Sequence, residues 1–151
     1  MNILADTNLL LRSLQPGSPH HAAATASITE LRRRGGQLCV VPQVLYEFWT
    51  VCTRPAGEYG LGLTTSQAQA EQDKTLALLT LLPDNASILP EWQRLVVQHD
   101  VKGRNAHDAR LVAAMNVHGV SQILTFNGAD FTRYPGIAVL DPQSFVPPTA
   151  P

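Results

Sequence analysis

Short apolar segments alternate along this chain with longer segments of helical pattern, and this alternation limits the possible folds most strongly. The segments Ile3 to Ala5 and Leu38 to Val41 are each predicted to form a buried strand. Further strands are predicted at Gln122 to Phe126 and Ile137 to Leu140, and a short one at Ser87 to Leu89. Apolar strands separated by helices are typical of a parallel sheet that is covered on both faces. We therefore expect an α/β fold with three layers, α/β/α, around a mostly parallel central sheet.

The segments between the strands carry ordinary signals for the start and end of helices. Ser18 and Pro19 resemble the first residues of a helix, and Gly35 with Gly36 would end it. Pro42 and Pro90 mark the starts of two later helices. The predicted helices span residues 7–14, 19–34, 42–52, 64–82, 90–100 and 106–117.

The size of the chain indicates a single domain. Its 151 residues are enough to bury a core without disulfides or a structural metal. We assign residues 1–145 to one domain and residues 146–151, which are rich in proline, to a loose tail. Cys39 and Cys52 lie in apolar runs without the spacing of metal ligands, which predicts buried, reduced thiols.

Charge and hydropathy bear on the location of the protein and on its partners. The net charge of −1 excludes a strong overall attraction to nucleic acid but permits a local basic rim. The start of the chain lacks the basic segment of a signal peptide, and Asp6 interrupts its apolar run. No apolar stretch approaches the ~20 residues of a membrane span. We therefore expect a cytoplasmic protein without a membrane partner.

Four acidic residues occur in settings that are unusual for acids. Asp6 directly follows the first predicted strand, and Asp130 lies just beyond a later one. Glu47 shares an apolar face of the third predicted helix, and Asp108 lies on the inward face of the last. Taken singly, capping or turn formation would explain Asp6, Asp108 and Asp130. An ionised Glu47, however, requires a partner or a metal.

The combination of these acids points to metal chemistry. The ends of parallel strands and the adjoining helices can converge at one edge of a sheet. Carboxylates a few Å apart repel one another unless a cation lies between them, and oxygen ligands suit Mg²⁺ or Mn²⁺. Such an ion can clamp a phosphodiester and lower the pKa of a bound water. The chain lacks the His and Cys spacing of a zinc site.

These segments resemble the PIN-domain family, and most of all the VapC-type toxins of bacterial toxin–antitoxin pairs. The resemblance extends from Asn2 to about Asp141 and is carried by several segments taken in order. They are Asp6-Thr7-Asn8, Glu47 within its apolar helix, His107-Asp108-Ala109-Arg110-Leu111, and Thr125-Phe126-Asn127-Gly128-Ala129-Asp130-Phe131.

The resemblance implies a PIN-like fold and a metal-dependent endoribonuclease that hydrolyses RNA with a metal-activated water. Asp6 and Asp108 would be the most direct ligands of Mg²⁺ (or Mn²⁺), and Glu47 and Asp130 would complete the cluster or hold metal-bound waters. The family often has Asp where this chain has Asn127, so the number of bound metals stays open. The polar groups that orient the cluster would be Asn8, Thr125 and Asn127.

Basic residues near these motifs are candidates for contacts with RNA phosphates. Ordinary solvated surface charge would explain each of them singly. The candidates for substrate binding are Arg12, Arg104 and Arg110.

Partners and alternative functions complete the expectation. The resemblance implies a small cognate antitoxin protein, and the apolar-rich chain is compatible with a homodimer. One alternative function is a catalytically inactive PIN-like module that binds RNA or protein, but the four acids argue against it. Another is a phosphatase with Asp6 as its nucleophile, which usually has a second acid where this chain has Asn8.

Overall fold

The computed structural model of the protein describes residues 1–148, which form a five-stranded sheet. Its strands are β1 (Asn2–Ala5), β2 (Gln37–Val40), β3 (Thr80–Leu81), β4 (Gln122–Leu124) and β5 (Ala138–Leu140). The strand order is β3-β2-β1-β4-β5, and every pairing between neighbours is parallel. The prediction of a mostly parallel sheet is confirmed.

Six α-helices within residues 1–148 cover this sheet, as an α/β/α fold requires. They are α1 (Thr7–Ser13), α2 (His21–Arg33), α3 (Pro42–Thr53), α4 (Thr65–Leu78), α5 (Ile88–Gln98) and α6 (Asn105–Val117). The chain runs from β1 through β2 to β3 and then returns to β4 on the other side of β1. Because parallel crossovers are right-handed, α1 to α4 lie on one face, and α5 with α6 on the other. The predicted three-layer architecture is confirmed.

Local sequence explains why these elements form where they do. Leu4 of β1 and Val40 of β2 are fully buried, as expected for a sheet covered on both faces. Thr64 and Gln67 form a capping box that begins α4, in which each side chain bonds to the other residue's main-chain N–H. Pro42 lies in the first turn of α3, where the missing N–H has no partner to lose.

Two details of the prediction are wrong, and both concern the segment around β3. The segment Ser87 to Leu89 is not a strand, because α5 begins at Ile88. The strand is instead Thr80–Leu81, inside the helix that was predicted to reach Leu82. A run of leucines fits a helix or a strand equally well, so pairing with a neighbouring strand decides which of the two forms. Here the N–H of Leu82 donates to the carbonyl of Val40 at 2.8 Å and extends the sheet.

The chain continues beyond β5 into a short 3₁₀ helix, Pro142–Phe145, which packs against α2. The predicted loose tail begins at residue 146, and residues 149–151 of it lie outside the described part of the structure. Among the helices of residues 1–148, none combines the length and the apolar composition that a membrane span requires.

Candidate functional site

The candidate site lies where the direction of the strand order reverses. Strands β1 and β4 are neighbours, but the chain leaves them toward opposite edges of the sheet, and such a reversal opens a crevice at the carboxyl ends of the strands. Asp6 follows β1 directly, and Thr125 follows β4 directly. The hydroxyl of Thr125 donates to Oδ2 of Asp6 at 2.7 Å across this crevice.

Asp6 is held rigidly although it is an acid inside the protein. Only 7% of its surface is exposed, and its Oδ1 accepts the main-chain N–H of Thr7 at 2.7 Å, which caps α1. Its Oδ2 also accepts from Nδ2 of Asn8 at 3.2 Å. Burial raises the pKa of Asp6, although the hydrogen bonds from Thr125, Thr7 and Asn8 oppose the shift and the charge of Glu47 adds to it. This carboxylate is therefore oriented for binding rather than free to rotate.

The predicted supporting residues brace Asp6 to different degrees. Nδ2 of Asn8 donates to the hydroxyl of Thr125 at 3.1 Å, and its Oδ1 accepts the N–H of Phe126 at 3.1 Å. Asn127 joins this network through its main-chain N–H, which donates to the Thr125 hydroxyl at 3.0 Å. Asn8 and Thr125 thus lock the end of β1 to the end of β4 through their side chains, whereas Asn127 contributes its backbone.

Glu47 is held by two donors from different elements. The hydroxyl of Thr7 donates to its Oε2 at 2.8 Å, and Nε2 of Gln43 donates to its Oε1 at 3.0 Å. Nε2 of Gln43 also donates to the carbonyl of His107 at 2.9 Å, at the start of α6. Gln43 is buried, and its Oε1 accepts from Nη1 of Arg110 at 3.1 Å. One amide therefore fixes both Glu47 and the helix that carries Asp108.

Asp108 lies in the first turn of α6 and experiences the charges of all the other predicted acids. Burial raises its pKa to about 6, and the charges of Asp130, Asp6 and Glu47 add to this shift, against a small opposing effect of His107. Charges influence one another in this way only when they are close. Hydrogen bonds through Thr7 and Gln43 also join Asp6, Glu47 and the start of α6, so the predicted acids lie in one region of the molecule.

The oxygen donors of this cluster are of the kind that hard divalent cations prefer. Asp130 is exposed on the 3₁₀ helix Gly128–Phe131, so it borders solvent. Within residues 1–148, however, no three of the His, Cys, Asp and Glu side chains are close enough to bind one ion together. Mg²⁺ typically keeps several waters and takes only one or two carboxylates from the protein.

The basic residues that were predicted to bind substrate have different surroundings. Arg110 is engaged, because its Nη2 pairs with Oδ2 of Asp84 at 3.1 Å while Nη1 contacts Gln43. Arg12 donates to Oε1 of Gln15 at 3.0 Å. Arg104 is exposed immediately before α6. Arg104 is thus the most exposed of the three, whereas Arg110 is hydrogen-bonded to a residue of the site.

Two residues of the site were not predicted, Gln43 and the side chain of Thr7. Gln43 precedes Glu47 by four residues on a helix, and residues at this spacing share a face. That spacing indicates that Gln43 can contact Glu47, so the sequence carried a signal for this residue. The contact between Thr7 and Glu47 spans 40 positions, so it depends on how α1 packs against α3.

Comparisons with known proteins agree with this geometry. The sequence profile of the PIN domain matches residues 3–137. A comparison with curated proteins finds no significant match. In fold, the chain is similar to VapBC2 from Rickettsia felis, solved with a promoter DNA fragment, with a TM-score of 0.71 and 15% identity, covering 93% of this chain and 98% of that chain.

Two further solved structures are similar in fold. One is VapC20 from Mycobacterium tuberculosis, a toxin that cleaves the sarcin–ricin loop, with a TM-score of 0.63 and 22% identity over 85% of this chain and 92% of that chain. The other is a toxin–antitoxin complex from Klebsiella pneumoniae, with a TM-score of 0.62 and 22% identity over 93% of this chain and 97% of that one. At these identities the likeness is one of fold.

Proposed function

Because this chain belongs to the PIN domain family, we propose that it is a metal-dependent endoribonuclease and the toxin of a toxin–antitoxin pair. The observation that carries the proposal is the convergence of Asp6, Glu47, Asp108 and Asp130 at the reversal point of the sheet. Burial and mutual repulsion make an ionised cluster of this kind unfavourable, and a divalent cation offsets both effects. The charge and the oxygen donors of the cluster therefore support a cation site in which waters complete the coordination.

Each acid has a proposed role that follows from its contacts. Asp6, braced on both oxygens, and Asp108, at the start of α6, would hold the ion. Glu47 and Asp130 would complete the acidic cluster and orient the attacking water. Bound Mg²⁺ or Mn²⁺ supplies electrostatic stabilisation to the phosphate and lowers the pKa of a water ligand.

The proposed substrate is RNA, and the proposed location is the cytoplasm. VapC20, which shares the fold, is a toxin that cleaves the sarcin–ricin loop, and this makes an RNA substrate the natural choice here. Arg12 and Arg104 are the proposed phosphate contacts at the rim of the site. Arg110 would contact a phosphate from its present position beside Gln43.

The test is cleavage of a total-RNA pool by the purified protein with Mg²⁺ or Mn²⁺. We expect discrete cuts that disappear with EDTA, in Asp6→Ala and in Asp108→Asn. The Asp108→Asn variant keeps the size of the side chain and removes its charge. The matched control is Asp73→Asn, because Asp73 is an exposed acid of α4 whose one side-chain hydrogen bond within residues 1–148 comes from Gln69.

The outcomes separate the candidate functions. Cuts that survive in both Asp6→Ala and Asp108→Asn would exclude this site as the source of the activity. If the wild type binds Mn²⁺ but cuts no RNA in the pool, the inactive binding module becomes the better description.

The proposed protein partners are an antitoxin and a second copy of the chain. Large apolar side chains are exposed on two of the helices, with Tyr46 66% exposed on α3 and Leu78 59% exposed on α4. Exposed apolar groups of this kind often mark interaction surfaces. Sedimentation should give the mass of a dimer for the purified chain, and a monomer would exclude a stable homodimer.

A further inference from the structure

A cavity of about 310 Å³ lies next to Arg110, which contacts Gln43 of the candidate site. It lies between the segment that follows β3, the first two turns of α5 and one arginine of α6. Because the strands are parallel, the segment after β3 lies at the same edge of the sheet as Asp6, which follows β1. The cavity is lined by Asp84, Asn85, Ile88, Leu89, Trp92 and Arg110.

A chain of hydrogen bonds joins this cavity to the acidic cluster. Arg110 donates through Nη2 to Asp84 on the cavity side and through Nη1 to Gln43 on the other side, both at 3.1 Å. Gln43 in turn donates to Glu47 at 3.0 Å. The cavity and the cluster therefore share one network of fixed side chains.

The cavity combines an apolar wall with a polar end. The indole of Trp92 is fixed because its N–H donates to the carbonyl of Ala106 at 2.8 Å. Leu89 is 60% exposed, although it is apolar. Within residues 1–148, Oδ1 of Asp84 and Nδ2 of Asn85 make no hydrogen bond, so an acceptor and a donor remain available.

We propose that this cavity binds one base of the RNA substrate, an inference that rests on the proposed ribonuclease function. A base has planar faces that stack on aromatic rings and an edge that carries donors and acceptors. Asp84 would accept from a ring N–H or amino group, and Asn85 would donate to a ring carbonyl. Guanine presents two N–H donors beside one carbonyl, so it gains most from this pair.

The polar end of the cavity favours a base over a side chain of a protein partner. An apolar anchor from a protein would use the wall formed by Ile88, Leu89 and Trp92 but would make no hydrogen bond with Oδ1 of Asp84 or Nδ2 of Asn85. Both residues are exposed, so these groups are solvated in the free protein, and only a polar ligand replaces the contacts with water that it displaces. A base satisfies both groups, and Arg110 at the junction provides positive charge for the adjoining phosphate backbone.

The test is a titration of the full chain with GMP, AMP, CMP and UMP in EDTA, followed by the two tryptophan indole N–H signals in NMR. We expect GMP to shift the Trp92 signal with a saturable curve and to leave that of Trp49, on α3, unchanged. Guanine should bind about tenfold more tightly than uracil, because it offers the carboxylate an additional donor. The Asp84→Asn variant should lose this preference, and Asp73→Asn should keep it.

The outcomes are decisive and independent of the cleavage assay. An unshifted Trp92 signal with all four nucleotides overturns the proposal, and so does an unaltered preference in Asp84→Asn. Nucleotide binding without RNA cleavage in the earlier assay would remove the nuclease function and leave the base site standing.

Discussion

At the scale of single residues, Asp108 shows the conflict between stability and function. Its carboxylate is partly buried, and this burial, together with the charges of three other acids, raises its pKa to about 6. In the unfolded chain the same group titrates near 3.8. An ionised Asp108 therefore destabilises the folded state, and a function that requires the charge explains its position best.

The first prediction is that Asp108→Asn stabilises the metal-free protein. The folded state binds the proton more tightly than the unfolded state, so wild-type stability falls as the pH rises from 3.8 to about 6. Asn removes this penalty, and after allowance for solvent screening the gain near neutral pH should be about 1–2 kcal/mol. Thermal unfolding in EDTA at several pH values checks it.

Two outcomes would contradict this prediction. One is a variant that melts below the wild type near neutral pH. The other is a difference between the two proteins that stays constant across the titration range. Asp73→Asn serves as the control and should follow the wild type.

At the scale of secondary-structure elements, Gln43 connects the two faces of the sheet at the site. It belongs to α3, it holds Glu47 of the same helix, and it reaches the carbonyl of His107 in α6. Its amide uses the donor for these two contacts and the acceptor for Arg110. The relative position of Glu47 and Asp108 thus depends on one side chain.

The second prediction is that Gln43→Met lowers RNA cleavage about tenfold or more and costs about 1–3 kcal/mol of stability. Methionine keeps the volume but removes one donor from Glu47, the contact with the carbonyl of His107 and the acceptor of Arg110 Nη1. Cleavage rates that are measured well below the melting temperature separate the loss of activity from the loss of stability. Gln72→Met is the matched control, because Gln72 of α4 donates to the carbonyl of Leu45 on α3 and contacts none of the four acids within residues 1–148. Equal rates for the two variants would contradict a role in positioning.

The third prediction concerns the 3₁₀ helix that carries Asp130. A Cβ at Gly128 would lie 2.7 Å from Cγ1 of Val139 on β5, which is too close for carbon atoms. Gly128→Ala should therefore destabilise the protein by about 1–3 kcal/mol and displace Asp130. Gly136→Ala is the control, because nothing lies within 4 Å of a Cβ there. Chemical denaturation of both variants checks the expectation, and equal stabilities would refute it.

At the scale of the whole molecule, the order of the strands decides where the chemistry can lie. The reversal between β1 and β4 places the ends of both strands in one crevice, and α3 and α6 approach it from opposite faces. Residues that are more than 100 positions apart along the chain, such as Asp6 and Thr125, become hydrogen-bond partners.

The fourth prediction is that Mg²⁺ or Mn²⁺ raises the melting temperature of the whole protein. An ion that binds the folded cluster but not the unfolded chain stabilises by about 2.7 kcal/mol at a concentration of 100 times its Kd. Asp108→Asn should lose most of this stabilisation, and Asp73→Asn should retain it. Identical melting curves with metal and with EDTA would rule out a metal site in the folded protein.

The sequence predicted much of this fold and the position of the acids, because both leave local signals. Strands β1, β2 and β4 are mainly apolar, and polar, glycine or proline residues lie close to their ends, so they can be predicted without knowledge of their pairing partners. Strand β3 cannot be predicted in this way, because Thr80 and Leu81 are exposed and become a strand only through pairing with β2. The end of a leucine-rich helix and the start of an edge strand look the same in sequence.

What the sequence by itself determined about this protein is the α/β class, the membership of residues 3–137 in the PIN domain family and the identity of the acids. These depend on hydrophobic periodicity and on motifs that are local in the chain. Only the tertiary structure decided which donors hold each acid, that Arg110 is paired with Asp84 and Gln43, and that a cavity lies beside them. These contacts join residues that are far apart in sequence, and a hydrogen bond depends on distances that no local pattern encodes.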